Sequence, residues 1–216
     1  MNGAEGAGPG DAPGLLIFPC NGNAIESLDC ISNAYRLIGF IDDTPQKQAG
    51  TVAGHAVHPR SALHRWPGAR VLAVPGSPRS YLQRRALIEG LAIRADRWAR
   101  VIHPTARISP LATLGDNVLL MAGVVVTSNA VIGNHVCVLP NTVIHHDARI
   151  GDWSLIGSNV TVAGNTSVGD NCYIGSGSSI MDGLTIGAGT LVGLGSTVIR
   201  SVAAGSRIAG NPARPV

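Results

Sequence analysis

From Ile102 to Val198 every sixth residue of the chain is aliphatic, without a miss. Ile102, Ile108, Leu114 and Leu120 open the series; Ile180, Ile186, Val192 and Val198 close it. That makes seventeen consecutive hexads with no insertion. A period of six is neither the helical 3.6 nor the two-residue alternation of a half-buried strand. With the aliphatic slot written i, slot i+4 holds Ala, Val, Ser, Thr or Cys, and Leu184 is the single larger exception. Slot i+1 is Gly in eight hexads, and slot i+3 is Asn or Gly in eleven. Asn and Gly tolerate left-handed backbone angles, so i+3 reads as a corner.

Each hexad is then a short flat strand followed by a turn, with one aliphatic side chain pointing inward. Three such sides close a triangular coil. Stacked coils bury a continuous apolar column, and no single coil is stable alone. An ordinary antiparallel sheet does not fit, because no alternation persists and no hairpin signal recurs at strand spacing.

The 216 residues suffice for two modest domains. The expected division is a disordered Gly/Ala/Pro-rich tail over 1–13, an α/β domain over 14–100, the coil over 101–202 and a tail over 203–216. The opening residues have neither the basic start nor the apolar stretch of a secretory signal. No apolar run is long enough to span a membrane. Net charge is only +3. Arg84, Arg85, Arg94, Arg97 and Arg100 cluster in a segment of helical character, which reads as a solvated face rather than a nucleic-acid surface. Cys20, Cys30, Cys137 and Cys172 form no metal-type pair and read as reduced, buried residues of a cytoplasmic protein.

In the first hundred residues, 15–18, 37–41 and 71–74 read as buried strands, and 24–36 and 81–93 as helices. This order predicts a small parallel sheet, a half-Rossmann unit. Ligands bind such sheets at the carboxyl ends of the strands. Those ends are Asn21-Gly22-Asn23, Asp42-Asp43 and Gly76.

His145-His146-Asp147 interrupts the corner habit of the coil. His146 stands two residues past Ile144, and Asp147 takes the corner slot that Asn or Gly usually fills. An acidic residue beside a corner His orients the ring and stabilises its protonated form. Residues eighteen apart share a slot on successive coils, separated by about 4.8 Å. Ser128, His146, Gly164 and Asp182 therefore form one column, and Gly164 puts bare backbone beside His146. An oxyanion developing there would find the Gly164 amide available. His135 lies one coil before Trp153, which suggests packing.

The repeat, the segment 143–147, the triplet Ala163-Gly164-Asn165 and the tail Gly210-Asn211-Pro212-Ala213-Arg214 resemble the hexapeptide-repeat acyltransferases, left-handed parallel β-helices that usually work as trimers. The N-terminal layout resembles the subfamily that acetylates nucleotide-linked amino sugars, together with sialic-acid-type O-acetyltransferases. The resemblance implies an acetyl-CoA-dependent transferase without a metal. It implies His146 as general base with Asp147 as partner, and Gly164, Leu155, Ser176 and Leu194 along the acetyl-CoA path. It also implies Asn21, Gly22, Asn23, Asp42, Asp43 and Gly76 as contacts of the nucleotide sugar. Asn23 stands where the family has His in the first turn. Leu155 and Leu139 replace a family His and a family Asn. Three alternatives stay open: a hydroxyl acceptor, a metal site of the γ-carbonic-anhydrase type, and a non-catalytic scaffold. The metal site would need three well-placed imidazoles.

Overall fold

The computed structural model describes residues 12–216, so most of the expected N-terminal tail lies outside the described residues. The first domain is a five-stranded sheet in the order β3-β4-β2-β1-β5. Its strands are β1 (Gly14–Phe18), β2 (Arg36–Ile41), β3 (Thr51–Val52), β4 (His55–His58) and β5 (Arg70–Ala73). The three expected strands are present, and β1 lies parallel between β2 and β5. The expected helix over 24–36 is shorter: α1 covers Gly22–Glu26, a 3₁₀ turn covers Ser27–Cys30, and the chain then runs irregularly into β2. Asn21 caps α1, its side chain accepting from the Ala24 amide at 2.9 Å. The segment expected to be helical over 81–93 splits into a 3₁₀ turn at Tyr81–Gln83 and a helix at Arg84–Glu89.

The hexads form a three-faced prism. One face has eight strands, from Arg100–Ile102 to Arg214–Pro215; the second has six and the third five. Within the repeat each strand pairs in parallel with the strand eighteen residues on, as Val125 does with Val143 and Val143 with Thr161. The i and i+4 side chains fill the interior: Ile144, Ala148, Ile150, Ile156, Val160 and Val162 are all buried in one cluster. Every slot read as a corner from Asn117 to Gly195 has positive φ. The prism runs past residue 202, the boundary expected from the hexads. Arg207–Ala209 joins the first face, paired sixteen rather than eighteen residues on from Leu191 and Val192. The final coil is two residues short, which is why the sixfold spacing stops at Val198.

The N-terminal domain packs on the first face. The outward slots there, one residue before each aliphatic, are Val101, Leu119, Cys137, Leu155, Tyr173 and Leu191. All are buried in one cluster with Leu15, Phe40 and Leu72 of the sheet. On the other faces this slot includes Arg107, Arg149, Thr161 and Ser167, which are exposed or half-buried. The vertex leading into the first face completes the joint. The Asn117 amide accepts from the Ala73 amide at 2.7 Å and donates to its carbonyl at 3.0 Å. Arg84 is wholly buried and donates to the carbonyls of Pro75 and His135. Burial pulls its guanidinium down to about 10.

Candidate active site

His146 and Asp147 stand on the vertex shared by the second and third faces, the edge of the prism opposite the face that carries the N-terminal domain. The turn is held by backbone bonds along the vertex: the Asp147 amide donates to Ser128 O at 3.0 Å, and the Asn165 amide to His146 O at 3.0 Å. With φ at +60°, Asp147 adopts the corner conformation. Its carboxylate folds back onto the preceding ring, with Oδ2 2.9 Å from His146 Nδ1. The other oxygen accepts from the Asn129 amide at 3.1 Å. The His146 hydrogen bond first, then the Asn129 one, holds the Asp147 carboxyl below the usual carboxylate range. The side chains are 57% and 45% exposed, so the pair faces outward from the prism and not into its core.

With Asp147 at Nδ1, the remaining ring nitrogen faces Gly164. A Cβ built on Gly164 would lie 2.6 Å from both Nε2 and Cε1 of His146. The missing side chain is thus the space the ring occupies. The Gly164 amide donates to no backbone acceptor among the described residues. A basic nitrogen backed by a carboxylate, beside an unused N–H, is an arrangement suited to moving a proton next to a developing oxyanion.

The other expected contacts sit in two places. Ser176 and Leu194 share a slot on successive coils of the vertex between the first and second faces. Ser176 accepts from the Ser158 amide at 3.0 Å, and Leu194 is 71% exposed. Leu155 is not at the His146 vertex. It is 3% exposed and buried in the interdomain cluster, because its outward slot falls on the first face. Its nearest site neighbour is Gly76, whose built Cβ would lie 3.6 Å from Leu155 Cδ1.

The strand-end residues converge. Asn21, Gly22, Asn23 and Gly76 line one cleft, and Asp42 and Asp43 line the adjoining one. Asn21 also ties two strand ends, donating to Val74 O at 3.2 Å. Asp42 is buried and paired with Lys47 at 2.7 Å. Burial works to raise its carboxyl, but the Lys47 and Thr44 hydrogen bonds outweigh that and hold it low. Asp43 is exposed and pairs with Arg60 at 3.2 Å. The sequence reading missed Lys47, which also donates to Cys20 O at 2.6 Å and so joins the ends of β1 and β2. It also missed the docking face, whose signal was an apolar outward slot recurring every eighteen residues. Among the described residues no three His, Cys, Asp or Glu side chains gather as a metal site, and no helix is long and apolar enough to cross a membrane. The four cysteines are unpaired and buried.

A three-faced prism of hexads with polar chemistry on a vertex defines the left-handed β-helix of the hexapeptide-repeat proteins. The sequence matches the family described as bacterial transferase hexapeptide (six repeats) over residues 111–144, 129–164 and 165–200. No curated protein matches by sequence. Solved structures do. The acetyltransferase domain of PglB from Neisseria gonorrhoeae is 27% identical, with a TM-score of 0.84 over 94% of this chain and 99% of that one. PerB from Caulobacter crescentus, in complex with CoA and GDP-perosamine, is 28% identical, with a TM-score of 0.80 over 95% and 98% of the two chains. WeeI from Acinetobacter baumannii, at 24% identity and a TM-score of 0.78 over 95% of this chain and all of that one, shares the fold. The hexads over 111–200 are those of the bacterial transferase hexapeptide family, and the chain shares the fold of these solved acetyltransferases.

Proposed function

We propose that the protein transfers the acetyl group of acetyl-CoA to the amino group of a nucleotide-linked amino sugar. The observation that carries this reading is the His146 ring, held at Nδ1 by Asp147 and lying over the bare backbone of Gly164. The neighbours support the two substrates. The gonococcal domain has a structure with acetyl coenzyme A, and the Caulobacter enzyme is a perosamine N-acetyltransferase seen with GDP-perosamine bound. Two structures of the Caulobacter enzyme replace a histidine, one by Asn and one by Ala.

In this reading the acceptor amine attacks the thioester carbonyl directly. His146 Nε2 takes the proton from the attacking nitrogen, and Asp147 supports the imidazolium so formed. The carbonyl oxygen gains charge and accepts from the Gly164 N–H. Collapse forms the amide C–N bond and breaks the C–S bond. The departing thiolate of CoA takes its proton from His146, which returns to its starting state. No covalent acyl-enzyme is needed.

The pantetheine arm follows the backbone at Ser176 and Leu194, in a groove between two prisms of a homotrimer. The nucleotide lies over the strand ends, at Asn21-Gly22-Asn23, Asp43 and Gly76, with Asp42 fixing the turn through Lys47. The His146 vertex is the edge away from its own N-terminal domain, so the sugar reaches it from the N-terminal domain of a neighbouring subunit.

The test is a panel of nucleotide-linked amino sugars and their hydroxyl analogues with acetyl-CoA, read by product mass, beside the same panel with His146→Ala. Acetylation of an amine, reduced about 10²–10⁴-fold in the variant, is expected for general-base catalysis. Near-normal turnover by the variant would remove His146 as base, and acetylation of hydroxyl acceptors alone would overturn the choice of amine.

A further inference from the structure

We propose that Asn129 is a positioning residue for this reaction, anchoring the Asp147 carboxylate so that its second oxygen stays on His146. The inference rests on the reading of His146 as the base. Asn129 stands eighteen residues before Asp147 in the same corner slot, with φ at +59°. Corners select Asn for its backbone tolerance, so the residue type alone carries nothing. The side-chain geometry does. The Asn129 amide nitrogen is 3.1 Å from Asp147 Oδ1, and Asp147 Oδ2 is 2.9 Å from His146 Nδ1. The two oxygens are thus divided between two partners on two successive coils. Asn141, Asn159 and Asn165 occupy corner slots with positive φ too. Unlike Asn129, they make no side-chain hydrogen bond among the described residues.

The division has a physical consequence. Asp147 sits on an exposed vertex, where water competes for both oxygens and the carboxylate is free to turn about its side-chain bonds. A donor fixed to the preceding rung holds one oxygen outward along the vertex and leaves the other facing the ring. This keeps the tautomer of His146 defined, with Nδ1–H toward Asp147 and Nε2 free to accept a proton, as second partners do for histidines generally. His146 and Arg149 are the other charged or titratable groups acting on this carboxylate, and both act to hold it ionised. Asn129 is the neutral partner among them, so its contribution is direction rather than charge.

The substitutions are chosen to spare the backbone. Asn129→Gly removes the amide where positive φ suits glycine. Asn129→Asp keeps the shape, removes the donor and sets a like charge beside Asp147. A single hydrogen bond, net of solvent, corresponds to roughly a threefold to tenfold change. Asn129→Gly is expected to lower kcat by that factor with little change in KM and to leave the melting temperature near that of the parent. Asn129→Asp is expected to lose more in kcat than Asn129→Gly. Introduced into Asp147→Gly, the glycine substitution at 129 is expected to add almost nothing, because the carboxylate it positions is gone. Full additivity with Asp147→Gly, or parental kcat in both Asn129 variants, overturns the proposal. His146→Ala measured alongside separates the two levels. If it is inactive while the Asn129 variants are normal, the anchoring role alone fails; if it turns over normally, the base reading fails as well.

Discussion

At the scale of single residues, Gly164 states the chemistry most sharply. Its value lies in a missing methyl group: a Cβ there would meet His146 Nε2 and Cε1 at 2.6 Å. Its backbone needs no left-handed angle, so alanine fits the chain and the imidazole must yield instead. A misplacement of about 1 Å at a reacting group costs up to 10²-fold. Gly164→Ala is therefore expected to lower kcat by one to two orders of magnitude with the melting temperature nearly unchanged. Parental turnover in that variant would remove Gly164 from the site. The stacking of 146 on 164 was legible in the sequence, because a repeat without insertions fixes which residues are neighbours. The Asn129–Asp147 bond was not, since every corner Asn looks alike until its side chain is oriented.

At the scale of elements, the vertex running through Asn117, His135 and Trp153 shows how a corner becomes a joint. His135 and Trp153 adopt φ of +59° and +57°, positions where a non-glycine residue carries strain of order 1–3 kcal/mol. Their rings stack at 5.8 Å, and Trp98 of the N-terminal domain meets His135 edge-on at 5.1 Å. The Asn117 amide is oriented by its two bonds to Ala73, so its nitrogen is the donor to His135 Nδ1 at 3.0 Å. The ring is therefore neutral in the joint. Burial first, and the Arg84 guanidinium next, lower its pKa below the ordinary 6.5. A depressed value in the folded state means that the unfolded chain binds the proton first as pH falls. The joint's contribution is complete above about pH 6.5 and is lost as pH drops through the folded value. The melting temperature is expected to be flat above about pH 7 and to fall below about 6.5, with a shallower fall in His135→Asn. Equal pH slopes in the two proteins would exclude His135 as the group responsible.

At the scale of the whole molecule, the His146 vertex and the strand-end clefts belong to different sides of one chain. The N-terminal domain covers the first face, and the candidate base stands on the edge shared by the other two. A shared cleft between prisms requires an assembly. Sedimentation of the active protein is expected to give three chains of 22.2 kDa each. A monomer with full turnover would exclude the shared cleft and with it the cross-subunit delivery of the sugar. The same scale explains Leu155. The family resemblance gave it a contact near the thioester; within its own chain it stands half a coil from His146, on the docking face.

The coil, its corners, the strands β1, β2 and β5, and the register that sets His146 over Gly164 are all encoded locally along the chain. These follow from local rules: hexad spacing, left-handed tolerance at i+3, and a constant eighteen residues per turn. Tertiary structure decided what no period encodes. It chose which face of the prism the first domain covers, drew Lys47 onto Asp42 and Arg84 into the joint, and bent 24–36 from a helix into a turn. Those outcomes depend on burying two particular surfaces against each other, and the energy of that contact belongs to neither segment alone.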